Sequence, residues 1–280
     1  MSRLNDMLSL LLRGAVYLAA GLALAVFAFI ILYIVLKGVP HLTPQLFSLQ
    51  YNSENLSLLP ALLNTLLICA LALLLAAPVG IGAAIYLAEY ARRGSRLVNW
   101  IGMAAETLAG IPSIIYGLFG ALFFVKFLGL GLSVLAGALT LSIMILPLIM
   151  RTAEEALRAV PDSYREGCFG LGAGRLRTVL AVVLPSAVPG ILAGVILAIG
   201  RIVGESAALI FTAGTVADAA GSLLASGRTL SVHLYVLSGE GLHIEQTYAT
   251  AVVLLLLVLF INGLSGWTAQ KLSQKLGGEK

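Results

Sequence analysis

Charge is what this 280-residue sequence has least of: Asp, Glu, Lys and Arg make up 11% of it, against 60% hydrophobic residues and a mean hydropathy of +1.02. A water-soluble domain of this size needs far more polar surface, so the composition excludes one and leaves an integral membrane protein. Cysteine is nearly missing too. Cys69 falls in an apolar run and Cys168 in a charged loop, which excludes a disulfide framework. The three histidines, His41, His233 and His243, have no ligand spacing and read as solvated loop residues, with no metal site among them. Asp6, Asp162 and Asp218 are the only aspartates and lie outside the apolar runs, as the histidines do, which argues against an intramembrane protease or other membrane enzyme. Alternating ten-residue segments are also lacking, so a β-barrel is excluded and the fold class is all-α.

What is present is a series of long apolar runs, at about 14–36, 58–87, 97–125, 127–150, 186–211 and 248–267. Each approaches or exceeds the roughly 20 residues that cross a bilayer, giving six transmembrane helices. The first is read as a retained helix, because a cleaved signal peptide has a shorter apolar core. The expected organisation is a tail at 1–13, a six-helix domain at 14–267 containing a soluble loop at about 151–185, and a second tail at 268–280.

The net charge of +4 and pI near 9.2 fit basic residues concentrated on one side of a membrane better than nucleic-acid binding. Arg3, Arg13, Arg92, Arg93, Arg96, Arg151, Arg158, Arg165, Arg175, Arg177, Lys271, Lys275 and Lys280 occupy the tails and the second and fourth loops. Lys37, Lys126 and Arg228 fall in the other loops, and Arg201 lies within a run. The positive-inside rule then places both termini in the cytoplasm. Of the non-cytoplasmic loops, 213–247 carries apolar residues in GSLLASGRTLSVHLYVLSGEG, which suit either a loop folded on its own protein or a docking surface for an external partner.

The fourth loop, RTAEEALRAVPDSYREGCFGLGAGRLRTVLAVVLPSAVPG, is the most informative soluble stretch. Ser163 to Glu166 fits a capping box, so a short helix is expected to begin near Ser163. Gly170, Gly172 and Gly174 interrupt it, and Arg175 onward resumes helicity. GLGAG follows no strand and precedes no G-K-[ST], so the chain has no Walker A motif. The chain itself is not an enzyme on this reading, and it binds no cofactor directly: any ATP must be hydrolysed by another polypeptide.

Glu166, Gly167 and Cys168, then Gly172, then Val182, Leu184 and Pro185 resemble the E-A-A, three residues, G, nine residues, I-x-L-P pattern of binding-protein-dependent ABC importer permeases, with a MetI-like transmembrane domain. Gly167 and Cys168 replace the usual alanines with other small residues. The resemblance implies that the loop, including Arg165, docks in a cleft of a separate ATPase. ETLAGIPSIIYGLFG, PVGIGAAIYLAEYA, GRIVGES and LSVHLYVLSGEG are further similar to the phosphate-transport branch and its A-type subunits. Ser206 stands where threonine is common there, and Ala208 where proline often stands. The branch implies a bacterial inner-membrane location, a PstB-like ATPase dimer, a PstC-like second permease and a PstS-like phosphate-binding protein. An importer for sulfate or molybdate would share the loop but lack GRIVGES and AGIPSIIYGLFG.

Two groups of charges remain inside apolar runs. Glu106 precedes Gly110, Ile111 and Pro112, a sequence able to open a helix, and stands either at the interface, near water and basic loops, or along a transport path. Arg201 and Glu205 each cost roughly 2.5 to 3.5 kcal/mol at mid-membrane. Four apart, they share a helix face and can pair. That pair is either a structural salt bridge or, with the Ser206 hydroxyl beside it, part of an aqueous path in which the guanidinium fork meets phosphate. Pro78, Gly80 and Gly82 read as a kink and close packing, and the small residues Gly190, Gly194 and Ala198 as a face for a neighbouring helix.

Overall fold

The computed structural model describes residues 2–92 and 95–276; Arg93 and Lys280 of the basic set lie outside the described residues. Eleven α-helices are described: α1 Ser2–Gly38, α2 Leu59–Ile85, α3 Arg96–Ala109, α4 Ser113–Gly120, α5 Val134–Arg158, α6 Asp162–Gly170, α7 Arg175–Thr178, α8 Leu184–Val203, α9 Ala207–Thr212, α10 Leu230–Glu240 and α11 Ile244–Leu276. Wider π-helical turns extend α2 over Tyr86–Tyr90 and α4 over Ala121–Phe127, and join α7 to α8 over Val179–Val183. Among the described residues no strand occurs.

Five helical stretches are long and apolar enough to cross a membrane: Ser9–His41, Leu59–Tyr90, Val134–Arg158, Arg175–Val203 and Ile244–Thr268. The expected third span is present as a broken one, which counted as a single span makes six. It is a pair, Val98–Ala109 and Ser113–Phe127, bent by 98°. Pro112 removes an amide and holds Ile111 away from helical geometry, so the chain turns there and restarts at Ser113. The fourth span starts at Val134, later than expected, because Gly129 and Gly131 adopt φ of +68° and +64° in the preceding turn. The fifth runs from the soluble loop and ends at Val203, short of 211.

α5 is the central helix, packed along α2 and α8 and touching α3, α4 and α9. Leu141, Met144, Ile145, Ile149, Ala153 and Leu157 recur along it and are buried. Gly190 and Gly194 of α8 face Ala156 and Thr152 of α5, so this small-residue face meets the chain's own helix. Gly80 lies close against Ile149, while α2 runs on through Pro78. α1 stands apart, packed along α11 and apolar on nearly every exposed side, as lipid or another apolar surface requires.

α2 spans the bundle and marks its two ends. Asn64 and Thr65 near its start hold the 213–247 segment: Asn64 Nδ2 donates to the carbonyls of Asp218 and Arg228, and Thr65 Oγ1 accepts from the Leu230 amide. Its far end, in the Tyr86–Tyr90 turn, holds the loop after α5. α10 is folded back on the protein, with Leu230, Val232 and His233 of its first half and Leu237 of its second buried. His233 thus corrects the solvated-loop reading.

Candidate functional site

Arg201 sits in the last turn of α8, half-buried. Directly after it the helix stops. The Glu205 amide donates to the Ile202 carbonyl at 3.1 Å in a tight turn, and α9 restarts at Ala207. Sharing a face at a spacing of four requires an unbroken helix, and the break at 204–206 removes it. Glu205 turns instead to the next helix, where its Oε1 accepts from the Ala208 amide at 3.0 Å, a capping contact. The expected Arg201–Glu205 pair is therefore a correction: among the described residues no carboxylate lies within ion-pairing distance of Arg201. Ala208 acquires a reason as well, since a proline there has no amide to donate. Ser206, half-buried, lies in the break itself.

The helices that restart after the two breaks, α4 and α9, pack against each other, so closely that a Cβ at Gly117 would come within 2.8 Å of the Ala208 Cα. Tyr116 is buried between them, donates its hydroxyl to the Leu108 carbonyl at 2.7 Å and feels the Arg201 charge. Tyr116 was not singled out from the sequence, although it lies inside IPSIIYG. Glu106 is placed elsewhere. It bonds to Arg151 of α5, and its side chain is 69% exposed.

At the other end of α2 lies the soluble loop. α6 begins at Asp162 after Pro161 with no side-chain cap, so the capping box at Ser163 is a correction: Ser163 is already helical. What anchors the helix is Arg165. Its Nη2 donates to Glu89 Oε1 at 2.6 Å and to the Leu157 carbonyl at 2.9 Å, its Nε to Glu89, and its Nη1 to the Val160 carbonyl at 2.7 Å and to Asp162. The side chains of Arg165 and Glu89 are 15% and 6% exposed. The hydrogen bonds to Glu89 raise the guanidinium's pKa further, against the effect of burial. Arg175 adds a second tie, stacking over the Tyr90 ring at 5.5 Å. Glu89 was missed, though a lone acid at the end of an apolar run facing an arginine-rich loop is a legible signal.

Gly172, with φ of +81°, makes the turn between α6 and α7, and its surroundings are open. Glu166 and Gly167 are exposed, Cys168 half-buried; Leu184 and Pro185 are half-buried where α8 begins. The tip of the loop presents Tyr164, Phe169 and Leu171, the last 91% exposed. Such an apolar tip on a charged loop suits insertion into another protein.

The model of the binding-protein-dependent transport system inner membrane component family matches residues 78–274. The chain belongs to that family. This permease is 32% identical to the probable ABC transporter permease protein YqgI of Bacillus subtilis, across 95% of the chain and 96% of the relative. It is 40% identical to the phosphate transport system permease protein PstA 1 of Mycobacterium tuberculosis, over 55% of the chain and 50% of the relative. Identity to the permease protein PstC of Mesorhizobium japonicum is 34%, over 75% of the chain and 70% of the relative. Among solved structures, the inward-facing MetNI methionine ABC transporter superposes with a TM-score of 0.60 at 20% identity, covering 77% of this permease and 94% of that chain. A bacterial ABC transporter that imports alginate gives 0.60 at 16% identity, covering 90% and 96%. These two structures bear on the fold alone. The permease is a multi-pass membrane subunit of an ABC importer, working with an ATPase on a separate subunit and a substrate-binding protein.

Proposed function

We propose that this permease imports inorganic phosphate as the A-type subunit of its transporter, in a bacterial inner membrane with both termini cytoplasmic. Its partners on this reading are a PstB-like ATPase dimer that uses the ATP, a homologous PstC-like permease, and a PstS-like protein that delivers phosphate from outside. Support comes from the relatives named PstA and PstC, at 40% and 34% identity. The observation that carries the reading is Arg201: a guanidinium at a helix break, with no carboxylate in ion-pairing distance among the described residues, beside the polar backbone of 204–206. A fork of donors on a permanent charge suits a passing oxyanion. Glu205, held by the Ala208 amide nearby, supplies a like charge that keeps the anion's stay short, and Ser206 lends a hydroxyl. No transport role is assigned to Glu106.

Energy enters at the other end. Arg165 fixes α6 to the end of α2, so a push on Glu166, Gly167, Cys168 or the Gly172 turn is passed along α2 and, through Leu184 and Pro185, into α8, whose last turn carries Arg201. Uptake into vesicles containing the complex and its binding protein tests the reading. Arg201→Ala is expected to abolish phosphate uptake while the complex still assembles, and Arg201→Lys to restore little. Glu205→Gln keeps the cap to Ala208 and is expected to slow turnover. Near-normal uptake by Arg201→Ala, or import of sulfate in preference to phosphate, overturns the assignment.

A further inference from the structure

Arg228 lies at the end of α2 opposite the soluble loop, one residue before the Thr229 that caps α10. It is 4% exposed, and its Nε and Nη2 have no protein acceptor. Among the described residues it forms no ion pair. Tyr51, from the 39–57 segment, covers one face of the guanidinium with Cζ 4.8 Å from the ring centroid. Stacking attracts the cation through its face, but the N–H bonds lie in the guanidinium plane, where a ring face cannot accept them. The two orphaned donors, Nε and Nη2, form one side-on edge of the fork, the edge that takes two oxygens of one anion. His233 sits against the same Tyr51 ring, edge to face at 6.2 Å between centroids, and is fully buried; neither ring nitrogen makes a well-formed hydrogen bond, and the Leu56 backbone lies beside the ring. Burial and the neighbouring Arg228 charge push its pKa down to about 3, against the opposing effect of the Leu56 backbone, so it stands neutral beside the guanidinium.

The cluster is joined to the transport elements. Ser231 Oγ donates to the Glu205 carbonyl at 2.6 Å, linking the first turn of α10 to the break that follows Arg201. A charged group shut away with its donors unmet is costly to hold, and a purely structural cation would be met by an acid, as Arg165 is by Glu89. We propose that Arg228, with His233 and Tyr51, forms a second anion site, which takes a compact inorganic oxyanion side-on at the mouth of the pathway before it reaches Arg201. This rests on the phosphate reading for the identity of the anion, not for the existence of the site. The fork is closed from solvent here, so loading requires the 39–57 segment to part from α10, and the bound anion then holds the two together.

The test is hydrogen–deuterium exchange on the intact complex in nanodiscs, with inorganic phosphate or sulfate added, beside uptake in vesicles. Phosphate is expected to slow exchange severalfold in peptides containing Tyr51 and in those spanning 228–234. Arg228→Met is expected to remove that protection and lower uptake by about tenfold or more, the loss of one charge-assisted pair. Arg228→Lys keeps the charge without the fork, and is expected to weaken protection in a complex of unchanged thermal stability, which separates the site from a folding defect. Arg201→Ala is expected to keep the protection without uptake. Protection by sulfate and not phosphate, lost in Arg228→Met, leaves the site standing and sinks the phosphate assignment. Phosphate import with neither anion protecting these peptides, or wild-type uptake by Arg228→Met, overturns the site. So does equal protection by the phosphate-free binding protein alone, which points to a docking carboxylate instead.

Discussion

Arg165 and Arg228 are buried arginines at opposite ends of the same helix, α2, and they are treated in opposite ways. Arg165 meets two carboxylates and two backbone carbonyls, so its donors are spoken for. Arg228 meets a ring face, while its Nε and Nη2 have no acceptor among the described residues. Arg201, between the ends, resembles Arg228: the carboxylate four residues on is drawn off to cap Ala208. Arg165, which ties the loop to the bundle, is paired; Arg201 and Arg228 meet no carboxylate among the described residues, and on the proposed readings their partner comes from outside. Both ends sit on one element: α2, whose 27 residues span roughly 40 Å, and the turn over Tyr86–Tyr90 that extends it.

The paired end should break hardest. Glu89→Gln leaves the half-buried Arg165 charge with only the exposed Asp162 as its acid, and breaking such a buried pair costs about 3 to 5 kcal/mol. A large drop in thermal stability with loss of ATPase copurification is expected, and the apolar double variant Glu89→Met with Arg165→Met is expected to recover much of the stability. If Glu89→Gln melts like the wild type, the contrast between the two ends fails.

Acid should attack the unpaired end. His233, in α10 outside the long apolar helices, has its pKa lowered to about 3 from an ordinary 6.5, so the unfolded chain takes up a proton that the folded one refuses. Stability is full above that ordinary value and falls with pH below it, by about 1.4 kcal/mol per unit until the folded value is reached. Melting followed from neutral to acid pH checks this, and His233→Phe is expected to flatten that part of the profile.

Gly172→Val tests the turn that shapes the paired end. Open space surrounds the position, so the cost is backbone strain at φ +81°, about 1 to 2 kcal/mol, felt locally. Membrane insertion should be unchanged, with transport uncoupled from ATP hydrolysis; normal coupling in a stably assembled Gly172→Val complex removes the turn from the mechanism. The smallest effect is expected from Glu106→Gln. Its side chain is largely exposed and Arg151 keeps Glu154 as a neighbour at 3.9 Å, so stability should change by under about 1 kcal/mol in a salt-dependent way.

Apolar run length and small-residue spacing were enough to read an all-helical membrane protein and most of its spans, because hydrocarbon demands that each spanning segment satisfy its own backbone, a local requirement written into consecutive residues. The soluble loop was legible for the same reason: the glycines near 172 and the positions before Leu184 and Pro185 act over short distances along the chain. The 98° turn at Pro112 and the stop at Val203 were only half legible. Pro112 removes an amide wherever it stands, but whether a helix bends or continues through a proline, as α2 does at Pro78, is decided by the neighbours that take up the freed groups. Which charges pair was not written locally at all. Glu89 and Arg165 are 76 residues apart, and Tyr51 lies far along the chain from Arg228. Arg201 and Glu205, close in sequence, are separated by a break that turns one side chain away. Coulomb attraction and stacking act through space, and only the packing of α2 against the two loops brings those partners within reach.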